Sequence, residues 1–182
     1  MECLLVAGID GLVIRNSRFR NCGVFDLSIG EMNDSGPPRD ILIENNFFGS
    51  SDGYYSLQFN SKSTSLTNVL IRNNSSTQEM SLGNDIAQLS DVRVVANVAP
   101  YRSRSCDRRI TYAFNVWQGA RCGSSDANAP SGFRNPAALD LHLMKGSRAI
   151  GHGDPRSAPG RDIDGQHRPQ GRRVDAGADE RR

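Results

Sequence analysis

The sequence predicts an all-β solenoid of stacked parallel strands, on three observations. A short apolar–x–apolar strand recurs along the first two thirds of the chain. Its copies lie 18 to 29 residues apart, too far for a meander or sandwich, which turns about every 8–12 residues. No segment sustains a helical period over about ten residues.

The copies align as Leu12-Val13-Ile14-Arg15-Asn16, Ile41-Leu42-Ile43-Glu44-Asn45-Asn46, Val69-Leu70-Ile71-Arg72-Asn73-Asn74, Val92-Arg93-Val94-Val95-Ala96-Asn97 and Ile110-Thr111-Tyr112-Ala113-Phe114-Asn115. Their central residues Ile14, Ile43, Ile71, Val94 and Tyr112 are 29, 28, 23 and 18 residues apart. That interval is one circuit of a solenoid. Within each circuit a second series alternates in the same way: Leu27-Ser28-Ile29, Leu57-Gln58-Phe59 and Met80-Ser81-Leu82. Parallel strands ordinarily need crossover helices; a solenoid avoids them, because each circuit returns the chain one strand higher.

Asparagine follows the repeated strand. Sharp turns between strands use left-handed backbone, which asparagine tolerates. Stacked at the strand spacing of about 4.8 Å, Asn46, Asn74, Asn97 and Asn115 are expected to form a hydrogen-bonded ladder.

Size and composition narrow the function. At 182 residues, 37% hydrophobic and 23% charged, the chain suffices for one folded domain and is too apolar for general disorder. Twenty-two basic residues against 20 acidic ones leave no field that would favour nucleic acid. No apolar run approaches the roughly 20 residues of a membrane span. The first residues lack the basic n-region of a signal peptide and enter strand-like sequence directly, so the expectation is an N-terminally truncated chain whose signal peptide lies upstream.

The four cysteines, Cys3, Cys22, Cys106 and Cys122, fit two disulfides, and a Cys106–Cys122 bond would close a loop around one strand pair. Four reduced, buried thiols are the alternative, and the pairing of Cys3 with Cys22 stays open. No cysteines have finger spacing and His142, His152 and His167 are not interleaved with them, so no structural zinc site is expected. His142, between Leu141 and Leu143, reads as a surface residue.

Residues 9–126 resemble the degenerate repeats of the pectate-lyase-like superfamily of right-handed parallel β-helices, in the pattern apolar–x–apolar–x–Asn–Asn–x–Phe. The later elements Phe133-x-Asn135-Pro136, Leu139-Asp140-Leu141-His142-Leu143, Gly146-Ser147, Asp162-Ile163-Asp164-Gly165, Arg168-Pro169 and Asp175-Ala176-Gly177-Ala178-Asp179-Glu180 resemble the closing segment of secreted bacterial β-helix proteins. Arg148 and Gly151 depart from that pattern, standing for its usual proline and aspartate. The resemblance implies a right-handed parallel β-helix over residues 1–132 and an extended, loop-rich C-terminal cap over 133–182. It further implies export to the cell surface or beyond, and contact with polysaccharide or cell-wall glycan as a monomer. Physically, a cap covers the open strand edges and apolar side chains of the last circuit.

Two functions fit. The first is a non-catalytic glycan-binding or structural module. The second is a carbohydrate-active enzyme, either polysaccharide lyase or glycoside hydrolase, with part of its active site in a missing N-terminal region. Family lyases set Lys, Arg, Asn and Glu on adjacent coils, where a base removes a proton beside a uronate carboxylate and a cation stabilises the developing charge. The nearest such residues here are Glu31, Asp34, Glu44, Lys62 and Arg72, although the charges of Arg15, Glu44 and Arg72 also suit a structural salt-bridge ladder. Tyr54, Tyr55, Tyr101 and Trp117 are candidates for stacking on sugar. No cofactor is expected, except that Asp162 and Asp164 form a partial calcium loop. It lacks the third acid and the later glutamate of a full one.

Overall fold

A computed structural model describes residues 3–31, 35–49, 55–59, 64–82, 86–99 and 106–181. The protein is all-β, and a short 3-10 turn at Pro136–Ala138 is the one helical element among the described residues. None of these residues forms a helix long and apolar enough to cross a membrane.

Three parallel sheets dominate. The first joins β1 (Leu4–Ala7), β4 (Phe25–Gly30), β7 (Tyr55–Phe59) and β10 (Met80–Ser81). The second joins β2 (Asp10–Arg15), β5 (Arg39–Glu44), β8 (Ser65–Arg72), β11 (Gln88–Val95) and β13 (Ile110–Ala113). In the third are β3 (Arg18–Arg20), β6 (Phe47–Gly49), β9 (Ser75–Ser76), β12 (Val98–Ala99), β14 (Val116–Trp117) and β15 (Ala127–Asn128). From β1 to β12 the chain visits the three sheets in turn, and each strand pairs in parallel with its counterpart from the previous circuit. A final antiparallel pair joins β16 (Phe133–Asn135) and β17 (Asp140–Leu143).

Register follows the apolar alternation. Ile14, Ile43, Ile71, Val94 and Tyr112 face one another across the second sheet, and Leu27, Leu57 and Met80 do so across the first. These rows meet inside with Phe48, Leu66, Ile86 and Trp117. Because side chains alternate sides, a one-residue slip would turn each row outward.

Left-handed backbone falls one residue earlier than the asparagine series predicts. At the turns after the second-sheet strands the positive φ angles belong to Asn16 (53°), Asn45 (53°), Asn73 (49°), Ala96 (54°) and Phe114 (58°). The next residues, Asn46, Asn74, Asn97 and Asn115, are buried and serve through their amides. Asn46 Nδ2 donates to Asn74 Oδ1 at 3.0 Å, Asn74 to Asn97 at 2.9 Å and Asn97 to Asn115 at 3.1 Å. The same oxygens accept the backbone N–H of the neighbouring asparagine. Each amide also donates to a strand carbonyl: Ile14, Ile43, Ile71 and Val94 in order. The series ends at Asp126, an acceptor-only side chain that takes Asn115 N and Nδ2, Trp117 Nε1, Cys122 N and Gly123 N. Both cysteine pairs, Cys3–Cys22 and Cys106–Cys122, are disulfide-bonded.

The segment from Phe133 lies against the outer face of the third sheet. Phe47, Val98, Val116 and Ala127, on four strands of that sheet, pack against Phe133, Leu141, Leu143, Ala149, Ala176 and Ala178. Polar contacts run across the circuits as well. Asn45 Nδ2 donates to Arg161 O at 2.6 Å, Asn73 Nδ2 to Asp175 O at 3.2 Å, and Gly177 N to Ala96 O at 2.7 Å. Gly177 has φ +89°, and a Cβ there would sit 2.8 Å from Ser75 Oγ and 3.1 Å from Val98 Cγ2. Gly177→Ala is therefore expected to cost about 2–4 kcal/mol through left-handed strain and overpacking. Urea denaturation checks the loss, and limited proteolysis should show faster cleavage after residue 133.

Candidate functional site

Among the described residues, those singled out from the sequence do not converge. Glu31 accepts Thr64 N at 2.8 Å and Thr64 Oγ1 at 3.0 Å, just before β8 begins. Arg72 ends β8, roughly 25 Å away at about 3.3 Å per residue. There it holds the buried Glu44, Nε to Oε2 at 2.8 Å, and donates to Ser157 O of the C-terminal segment. Glu44 and Arg72 are thus a paired, covered couple, while Arg15 stays exposed beside them. Lys62, Tyr54, Asp34 and Tyr101 lie outside the described residues.

Trp117 offers no ring face to a sugar. It is fully buried, with its indole nitrogen held by Asp126 at 3.1 Å. Tyr55 remains partly exposed, stacked on Phe25 of the neighbouring strand at 6.1 Å with planes 3° apart. The Asp162 and Asp164 carboxylates do not share one point. Asp162 Oδ1 accepts Asp164 N and Gln166 N, and its Oδ2 accepts Glu180 N. That shapes a turn and leaves too few oxygens for calcium, which takes six to eight. Asp164 points instead to Arg18, at 2.7 Å, and to His142.

Two features of the C-terminal segment hold the chemistry. The first is a cavity of about 790 Å3 between the 151–160 and 168–174 loops, floored by Phe114 and Ser125. Arg156, Arg168, Arg172, Arg173 and His152 line it, with Asp154 as the one acid. Asp154 is occupied locally, accepting Arg156 N at 3.0 Å. Arg168 is committed to Glu180, both side chains 1% exposed, whereas no acid among the described residues pairs with Arg156, Arg172 or Arg173. The loop is built by close approach: a Cβ on Gly153 would lie 2.5 Å from Asp175 O, and Gly151 N donates to Asp175 Oδ1 at 2.6 Å. Burial raises the pKa of Asp175 even so.

His152 packs edge-on against Phe114, 6.4 Å between centroids, and its Nε2 is buried without a hydrogen bond. Burial, with Arg148 nearby, lowers its pKa from the ordinary 6.5. A depressed histidine contributes stability that is present above the unfolded value and lost as pH falls through the folded one. Melting midpoints taken between pH 7.5 and 5 should therefore drop more steeply for the wild type than for His152→Phe.

The second feature is a cluster around His142. Its Nδ1 meets Asp140 and its Nε2 lies 2.6 Å from Asp164 Oδ2. Phe47 presses on the imidazole edge-on, 5.3 Å between centroids. The buried Asp179 accepts Leu143 N through Oδ2 at 2.8 Å. A cavity of about 390 Å3 opens onto His142, Asp164 and Asp179, with Arg134 and Arg181 on its wall.

Reasoning from sequence named neither feature as a site. The arginines are scattered over a segment without periodicity, and His142, Asp164 and Asp179 stand 15 to 37 positions apart. Asp126 was also missed, though Asp126-Ala127 repeats the pattern of Asn97-Val98 and Asn115-Val116. In comparisons with family models, with curated proteins and with solved structures, the chain matches none.

Proposed function

We propose that this chain is a non-catalytic, extracellular module that binds an acidic polysaccharide, its circuits wound as a right-handed parallel β-helix like that of pectate-lyase-like proteins. The cavity lined by Arg156, Arg172 and Arg173 carries the reading. Free guanidiniums suit carboxylate or sulfate groups, which they grip bidentately. Hydrolysis of a glycosidic bond calls for a second carboxylate opposite the first. The wall supplies Asp154 alone, turned to a backbone amide. Two disulfides favour an oxidising compartment, and the stacked parallel sheets give a rigid body on which such a groove keeps its shape.

Affinity electrophoresis through gels containing pectate, alginate, heparin or neutral dextran tests this. The acidic polymers should retard the protein, less so as salt rises, and dextran should not. Arg172→Ala with Arg173→Ala should abolish most of the retardation. Equal retardation of that variant, or no retardation of the wild type, would overturn the reading. Release of unsaturated uronate or of reducing ends would show an enzyme instead.

A further inference from the structure

We propose that His142, Asp164 and Asp179 form a binding site for a divalent transition-metal ion, with Zn2+ as the best fit. This stands apart from the glycan reading and rests on other residues. The donor set comes first. One imidazole nitrogen and two carboxylates, contributed by β17, the 162–165 turn and residues 175–180, bring their ligand atoms within 4.8 Å of one another. Zinc takes such N/O donors at about 2.0–2.1 Å, so its ligands sit about 3.3 Å apart in a tetrahedron. Binding zinc would open the His142–Asp164 contact and draw in Asp179.

The second observation is the orientation of the imidazole. Asp140 engages Nδ1, which directs Nε2 toward Asp164 and Asp179. A carboxylate behind a histidine is the arrangement that fixes tautomer and ring angle in metal centres. Phe47 holds the ring from its side.

The third concerns Asp179. Only 4% exposed, its carboxylate takes one hydrogen bond, from Leu143 N to Oδ2. Its Oδ1 receives none from any described residue, and the side chain lines the 390 Å3 cavity. A carboxylate this buried and this sparsely bonded is favoured in its ionised form by a cation placed beside it. The nearby arginines do not supply it through direct contact: Arg18 sits on the other oxygen of Asp164, and neither Arg134 nor Arg181 ion-pairs with Asp179. Three protein ligands facing an open cavity leave room for water as the fourth. They fall short of the six to eight oxygens that calcium needs, and a nitrogen donor suits zinc better.

The test uses the full, untagged chain, with ZnCl2 followed by titration calorimetry and CoCl2 followed by visible absorption. One equivalent of Zn2+ should bind at micromolar concentration, and Co2+ should give the intense bands of a tetrahedral site. His142→Gln and Asp179→Asn should each weaken binding at least tenfold, and Asp140→Asn about tenfold through the lost orientation. His167→Gln, at an exposed histidine, should leave binding unchanged. Circular dichroism establishes that each variant is folded. If His142→Gln or Asp179→Asn fails to fold, Asp164→Asn decides, since that side chain is 32% exposed rather than buried. The proposal is overturned if the wild type binds no Zn2+. It is equally overturned if a folded His142→Gln or Asp164→Asn variant binds as the wild type does, or if His167→Gln removes the binding.

Discussion

Asn74→Ala is expected to destabilise the protein by about 4 kcal/mol, read as a lower urea midpoint with little change in slope. Asn74 is fully buried in the middle of the ladder. Its Oδ1 accepts both Asn46 N and Asn46 Nδ2 at 3.0 Å. Its Nδ2 donates to Ile43 O at 2.9 Å and to Asn97 Oδ1 at 2.9 Å. Alanine removes one residue yet strands polar groups on both neighbouring circuits, and each such group costs about 1–3 kcal/mol when water cannot reach it. Asn74→Asp separates the two halves of the role. It keeps the acceptor, loses the donor and buries a charge, so it should be at least as damaging. A loss below about 1 kcal/mol for alanine would mean that the ladder bonds are replaced locally.

The second large effect is expected at the Arg168–Glu180 pair, which pins the C-terminal segment to itself and to the circuits. Arg168 Nη1 meets Glu180 Oε2 at 3.1 Å, and its Nη2 reaches Gly177 O at 2.8 Å and Asn45 Oδ1 at 3.3 Å. Glu180 in turn accepts Asp175 N at 3.0 Å and Gln170 N at 3.1 Å. Burial lowers the pKa of Arg168 and raises that of Glu180, so each needs the other to stay charged inside. Glu180→Ala leaves an uncompensated buried guanidinium and should cost about 3–5 kcal/mol. Arg168→Met combined with Glu180→Leu removes both charges and should recover much of that loss. A double variant as unstable as Glu180→Ala would show that the backbone contacts of Arg168, not the ion pair, hold the segment.

The circuits were legible in the sequence because strand alternation is local. Ile43 and Ile71 reveal their common face through their immediate neighbours, and the 28-residue interval between them sets the stacking. The asparagines were legible as a series, but their role was assigned partly to the wrong backbone position. Asn45 and Asn73 adopt the left-handed turn, whereas Asn46 and Asn74 point inward. Two adjacent asparagines in the sequence do not reveal which one turns and which one bonds.

The C-terminal segment was readable only as punctuation. Its contacts join residues more than 100 positions apart, such as Asn73 with Gly177 and Ser75 with Ala178. They depend on an outward apolar row, Phe47, Val98 and Val116, split among strands of two or three residues. Strands that short carry no period to read. The same holds for Trp117: its dipeptide strand gave no inside or outside, and an interior residue stood among the candidates for sugar stacking. The cavity arginines lie on loops, and the His142 cluster joins the short strand β17 to two loop residues, where chain neighbours say little about spatial ones.

Methyl-to-methyl nuclear Overhauser contacts in protein labelled at isoleucine and valine test the stacking most directly. Strands about 4.8 Å apart should give a chain of cross-peaks from Ile14 to Ile43, Ile43 to Ile71 and Ile71 to Val94, with none linking Ile14 to Val94. Absence of the Ile43–Ile71 peak, or a direct Ile14–Val94 peak, would contradict the stacked circuits and the groove built on them.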